Sequence, residues 1–184
     1  MPPNISAIFR ALADGEDIPQ VLKKFGLTRE QLNVIFEEVA QYYRDLEHGQ
    51  WTLYCDGASY GNPGPSGAGF VLSDPYGEIR LKLGDYLGEA TNNVAEYRGL
   101  LLGLQAARRL GVQKLGIFSD SELLVRQLTG LYRVKAPHLL PLYQEVRKEL
   151  QNFRSYAISH VPREQNREAD RLARRAIDQR GRTM

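Results

Sequence analysis

The 184-residue sequence predicts an α/β fold: a five-stranded mixed sheet in the order βββαβααβα, flanked by helices, behind a small all-α N-terminal domain. Three observations predict it. Residues 5–47 place apolar side chains at helical spacing almost throughout. After Gly49 the texture switches to β-branched and aromatic runs broken by glycine and proline. From Thr91 onward, helical periodicity alternates with short apolar strands.

Each element has its own signal. Ile5, Ile8, Phe9 and Leu12 share one face of a first helix. Asp17 is placed to cap a second, with Pro19 in its first turn, Val21, Leu22 and Phe25 on its apolar face, and Gly26 as its C-terminal αL residue. Thr28 and Gln31 have capping-box spacing before a third helix striped by Leu32, Ile35, Phe36, Val39 and Tyr43. Gly49 is the expected break, giving domains over 1–48 and 51–180. Trp51–Cys55 reads as the first strand, with Asp56 ending it. Gly61-Asn62-Pro63-Gly64-Pro65-Ser66-Gly67 reads as a tight turn, and Ala68–Leu72 and Ile79–Leu87 as two further strands of an antiparallel meander. Then follow a helix over Thr91–Leu110, a strand over Lys114–Ser119, helices over Ser121–Leu128 and Leu139–Leu150, a strand over Tyr156–Val161 and a helix over Gln165–Asp178. No internal repeat interrupts this order.

Composition narrows the class. With 42% hydrophobic and 25% charged residues the chain is too apolar for disorder. Its one cysteine cannot form an internal disulfide, no apolar run approaches the roughly 18 residues of a membrane span, and Met1-Pro2-Pro3-Asn4 lacks the features of a signal peptide. The expectation is a monomeric cytoplasmic protein without membrane contact. The formal charge of +2 hides an asymmetry. Residues 1–50 carry five basic and eight acidic side chains, a net −3, whereas residues 51–184 carry 19 and 14, a net +5.

Within that basic half, four carboxylates stand at strand ends and helix starts: Asp56, Glu96, Asp120 and Asp170. Singly, each reads as a turn residue, a cap or a complement to a helix dipole. Together they would repel unless a cation sat among them. An all-oxygen set, with no clustered Cys or His, favours Mg²⁺, with Mn²⁺ as substitute, over zinc. Two such ions suit phosphodiester cleavage.

The residues that carry a resemblance follow from these positions. Asp56-Gly57-Ala58-Ser59-Tyr60-Gly61-Asn62-Pro63-Gly64-Pro65-Ser66-Gly67, Thr91-Asn92-Asn93-Val94-Ala95-Glu96, Ser119-Asp120-Ser121 and the block His160–Asp170 closely resemble type 1 ribonuclease H, in order and spacing, over roughly 51–180. The resemblance implies the ribonuclease H-like fold, an active site of Asp56, Glu96, Asp120 and Asp170 holding two Mg²⁺, and His160 as an aid to proton transfer or product release. It implies an RNA–DNA hybrid as partner and hydrolysis of its RNA strand, giving 5′-phosphate and 3′-hydroxyl ends. A related nuclease acting on RNA–RNA or other duplexes, and a non-catalytic nucleic-acid-binding module, are the competing readings. Gly57, Asn62, Thr91, Asn92, Asn93, Ser121 and Asn166 are the substrate-side positions that come with it. Asn62, Asn92 and Asn93 bring amides suited to sugars and base edges, and Thr91 sits where a helix start can take a DNA phosphate.

Two departures stand out. The stretch Leu131-Tyr132-Arg133-Val134-Lys135-Ala136-Pro137-His138 is short and lacks the Trp-bearing basic helix that some bacterial members use as a substrate handle, leaving Tyr132, Arg133 and Lys135 in its place. The acidic residues 1–48 do not look like the strand-containing, basic hybrid-binding domain of eukaryotic relatives. Ile18–Leu32 resembles a helix-turn-helix without its positive charge, so contact with nucleic acid, contact with protein and simple stabilisation all remain open for this domain. Arg163, Arg167, Arg171, Arg174, Arg175, Arg180 and Arg182 line the last helix and tail, with Glu164, Glu168 and Asp178 as intrahelical partners. Cys55 is expected to be a buried apolar residue, and His48 and His138 to lie at the surface.

Overall fold

A computed structural model describes residues 4–180. Arg182 lies outside them. The chain divides into two compact units between Asp45 and Leu46. Among the described residues no helix is long and apolar enough to cross a membrane.

The first unit is built from helices α1 (Ile5–Ala13), α2 (Ile18–Phe25) and most of α3 (Arg29–His48). Their ends follow the capping chemistry in the sequence. The Asn4 side chain accepts from the Ala7 N–H at 3.1 Å. Asp17 and Gln20 exchange reciprocal backbone-to-side-chain bonds of 2.8 Å each, and Gly26 closes α2 at φ 64°. Gln31 and Thr28 pair in the same manner at the start of α3, at 2.8 and 3.2 Å. Ile8, Ala11, Val21, Leu32 and Ile35 form the buried core, and Phe9 meets Phe36 with ring centroids 5.6 Å apart. Tyr43 departs from the expected apolar stripe: it is exposed.

The second unit holds a five-stranded sheet in the spatial order β3-β2-β1-β4-β5, made of β1 (Gln50–Ser59), β2 (Gly64–Ser73), β3 (Ile79–Ala90), β4 (Lys114–Ser119) and β5 (Ser155–His160). Strands β1, β2 and β3 pair antiparallel, while β1 with β4 and β4 with β5 pair parallel. Helix α4 (Asn92–Arg109) packs on β1 and β2, with α5 (Glu122–Leu128) and α6 (Leu140–Leu150) beside it. Helix α7 (Arg167–Arg180) packs on β1, β2 and β3. Leu53, Cys55, Phe70, Leu72, Leu100, Leu104 and Ile117 belong to the core that α4 seals.

Three expectations are corrected. The boundary lies inside α3 rather than at Gly49: Leu46 packs against the core of the second unit and its carbonyl accepts from Trp51 Nε1 at 2.9 Å. Strand β1 does not stop at Asp56 but continues to Ser59. The glycine-rich turn is confined to Tyr60–Pro63, which includes a cis Asn62–Pro63 bond, and Gly64–Gly67 already belong to β2. The reason is packing. A Cβ on Gly67 would lie 2.3 Å from the Ala173 carbonyl oxygen, and one on Gly69 or Gly84 would lie 2.4 Å from those of Ala169 and Leu172 respectively. These glycines let α7 rest directly on the sheet, so the helix-facing strand needs positions without side chains.

Candidate active site

Close packing of helix on strand builds the site. Asp56 lies mid-strand in β1, opposite Gly69, and is only 6% exposed. A Cβ on its neighbour Gly57 would fall 2.1 Å from the Glu96 amide nitrogen, and one on Gly99 would fall 2.3 Å from the Asp56 carbonyl oxygen. Both glycines therefore seat the first turns of α4 on β1 and bring Glu96 beside Asp56. Asp120 follows the last residue of β4, the parallel neighbour of β1. Asp170 stands in the first turn of α7, next to Ala169, whose carbonyl rests on Gly69.

The electrostatics reflect the crowding. Burial first, then repulsion from Asp120, Asp170 and Glu96, raises the proton affinity of Asp56 far above the usual carboxylate range. Burial, with a further contribution from Asp120, pushes Glu96 up to about 7 despite hydrogen bonds from Ser121 and Asn92. Cys55, on the opposite side of the strand, is fully buried, and desolvation raises its thiol pKa, so it stays protonated.

Protein donors hold three of the carboxylates. Ser121 Oγ donates to Glu96 Oε2 at 2.5 Å and Asn92 Nδ2 to Oε1 at 2.8 Å. Asn166 Nδ2 donates to Asp120 Oδ1 at 2.5 Å and to the Cys55 carbonyl at 2.9 Å. Asp170 takes Arg163 Nη2 on Oδ1 at 3.0 Å and Arg174 Nε on Oδ1 and Oδ2 at 2.9 and 3.1 Å. Among the described residues no three acidic, His or Cys side chains converge tightly enough to grip an ion as they stand. The donor set nonetheless fits a hard divalent cation. It offers oxygen only, and it gathers around Asp56, whose proton affinity burial raises first and the neighbouring carboxylates raise further.

The remaining expected residues divide by exposure. His160 ends β5 at the surface and donates from Nε2 to the Asp120 carbonyl oxygen at 3.2 Å. Asn62 lies exposed in its turn and accepts from the Asn92 amide at 3.3 Å, which ties the turn to the start of α4. Thr91 is the N-cap of α4, accepting from Val94 N–H at 3.4 Å, so its hydroxyl is already engaged in capping. Asn93 opens onto a depression of about 550 Å³ that Gln127, Tyr132, Arg133 and Lys135 also line. Arg126 braces that rim, donating to Tyr132 Oη at 2.6 Å and stacking 5.0 Å above its ring. His48 and His138 are exposed, as the sequence leads one to expect.

Ser121 and Asn166 differ from expectation. Ser121 is 9% exposed and caps α5 while bonding Glu96; Asn166 is 1% exposed beneath Asp120, with its Oδ1 buried and without a partner. Their hydrogen-bonding groups point at Glu96 and Asp120, so in this structure they hold those carboxylates in place. Sequence reasoning missed the pairing of Asp170 with Arg163 and Arg174. The i, i+4 spacing of Asp170 and Arg174 is the signal that would have found half of it.

Comparison with known proteins agrees with this geometry. A family model described as reverse transcriptase-like matches residues 54–176. Ribonuclease HI of Halobacterium salinarum is 42% identical over 130 residues, covering 71% of this chain and 65% of that protein. The crystal structure of that archaeon's RNase H1 superposes with a TM-score of 0.69, covering 71% of this chain and 99% of the other. The structure of LC11-RNase H1 in complex with an RNA/DNA hybrid matches at 36% identity and TM-score 0.67, covering 70% of this chain and 97% of its own. A bifunctional protein of Mycobacterium tuberculosis is 44% identical over 127 residues, 68% of this chain, and the matched part spans only 35% of that protein's length. Strand order, the seating of α4 and α7, and sequence identity concur: the chain belongs to the type 1 ribonuclease H family.

Proposed function

We propose that this chain is a divalent-metal-dependent endoribonuclease that hydrolyses the RNA strand of RNA–DNA hybrids, leaving 5′-phosphate and 3′-hydroxyl ends. The observation that carries the reading is the burial of Asp56 among three further carboxylates, with its proton affinity raised. A module that only binds nucleic acid gains nothing by gathering negative charge where phosphates must approach.

Two Mg²⁺ ions bound by Asp56, Glu96, Asp120 and Asp170, with Mn²⁺ as substitute, would supply Lewis acidity and an ionised water. The protein's own residues do the rest. Asn166 fixes the rotamer of Asp120, and Ser121 and Asn92 fix that of Glu96, which leaves Glu96 placed to read a 2′-hydroxyl. Asn62, Asn92 and Asn93 stand where amides can meet the sugar edges, Gly57 contributes by packing, since its missing Cβ makes room for α4, and the start of α4 beside Thr91 is where a DNA phosphate would approach. His160, exposed beside the Asp120 main chain, is placed to pass a proton to the leaving oxygen or to ease product exit. The hybrid-bound structure of a 36% identical relative supports the choice of substrate.

Labelled hybrid, RNA duplex, DNA duplex and single strands, each incubated with Mg²⁺, Mn²⁺ or EDTA, test the reading. The expected result is cleavage of the hybrid's RNA strand with metal only. Metal-independent cleavage, or equal cutting of every substrate, overturns it.

A further inference from the structure

The four carboxylates are not held alike. Neutral donors, a serine hydroxyl and asparagine amides, hold Glu96 and Asp120. Asp170 alone among the four is paired with cations in the described hydrogen bonds: Arg163 on one oxygen and Arg174 on both. A neutral donor can rotate aside or share an oxygen with a metal at little electrostatic cost. A guanidinium next to a divalent cation repels it, and any ion that takes Asp170 must share the carboxylate with Arg174 or displace it. The arginine is built to stay near. It lies one turn along α7 from Asp170, and its charge also feels Asp56 and Tyr60, while Tyr60 Oη donates to Asp178 at 2.9 Å on the same helix.

We infer that Arg174 is a positioning residue that holds Asp170 before metal arrives and weakens the affinity of the Asp170 end of the site for a divalent cation, with Arg163 contributing less. The inference rests on the metal-dependent reading above. It gives the arginine a regulatory role: the site fills at a metal concentration set by an internal cation competing for one carboxylate.

The experiment titrates Mn²⁺ alone into the full chain by isothermal calorimetry, without nucleic acid. Arg174→Gln is expected to bind Mn²⁺ about tenfold more tightly than the unaltered protein, because one repelling charge is gone. Arg174→Lys, which keeps the charge but not the two-oxygen geometry, should fall between the two. Arg163→Gln should shift affinity in the same direction by less, since it touches one oxygen and its side chain is 60% exposed. A purely structural tether predicts the opposite sign: freeing Asp170 would weaken metal binding. Unchanged or weaker affinity in a folded Arg174→Gln variant, checked by its metal-free melting curve, overturns the inference. Should that variant fail to fold, Arg163→Gln decides, tighter binding supporting the inference and unchanged binding overturning it. If the unaltered protein binds no Mn²⁺, the metal reading itself falls, and the inference with it.

Discussion

The two units solve the same folding problem at different scales. The N-terminal unit buries five apolar side chains and no polar one among the described residues; its polar groups cap helix ends, as Asn4 and Asp17 do, or pair on the surface, as Lys24 does with Glu16. The second unit has a core of 22 buried residues, and every buried polar or charged side chain among the described residues belongs to it: Asp56, Ser66, Asp74, Ser119, Ser121, Gln127 and Asn166. A small core has no surplus with which to desolvate charge. A larger one does, and it is there that carboxylates are driven out of water. The units are thus divided by what they bury: one buries only apolar side chains among the described residues, while the other gives up part of its packing energy to hold groups that repel.

The largest expected effect comes from removing that repulsion. Asp56→Asn should lower turnover by at least about a thousandfold. The same change should raise the melting temperature of the metal-free protein at pH 8. An active variant, or one less stable at that pH, breaks the contrast between the units.

Gly57→Ala comes next. Its methyl would meet the Glu96 amide nitrogen at 2.1 Å, a backbone atom that cannot rotate away. A loss of about 3 kcal/mol is expected, or failure of the second unit to fold, read by chemical denaturation.

The third effect is a pH dependence in EDTA. In the unfolded chain, the Glu96 carboxyl ionises near 4.5, whereas in the folded protein Glu96 keeps its proton up to about 7, and Asp56 is likewise raised. The folded state therefore binds more protons between those values, and its stability falls as pH rises from about 5 to 8. A decline on the order of 2 kcal/mol is expected, and Asp56→Asn should flatten it. A rise in stability over this range would contradict the burial of these groups. The smallest effect belongs to the first unit. Asp17→Ala removes a reciprocal cap and should cost about 1 kcal/mol without changing the shape of the pH curve.

Much of the fold was legible because local chemistry decided it. Asp17, Pro19 and Gly26 occupy the cap, first-turn and αL positions of α2 that their residue types call for, and Lys114–Ser119 is a strand with the expected bounds. Long-range contacts decided the rest. Gly64–Gly67 reads as a turn by composition but is strand, because its glycines serve close packing: Gly64 lies against the Tyr60 carbonyl and Gly67 under the Ala173 carbonyl of α7. The unit boundary is hidden inside a continuous helix, since nothing local tells which core Leu46 joins. The four carboxylates were found from their pattern, but their partners were not. Asn166 reaches Cys55 and Asp120, both far away in sequence, so no spacing rule reveals it.

The bare backbone under α7 has one more consequence. At Gly67, Gly69 and Gly84 the helix already stands at the closest distance that atoms allow. Any residue introduced at these positions can only push Asp170 outward; none can draw it in. The tolerance of the site to sequence drift is therefore one-sided, and these three positions have no conservative substitute.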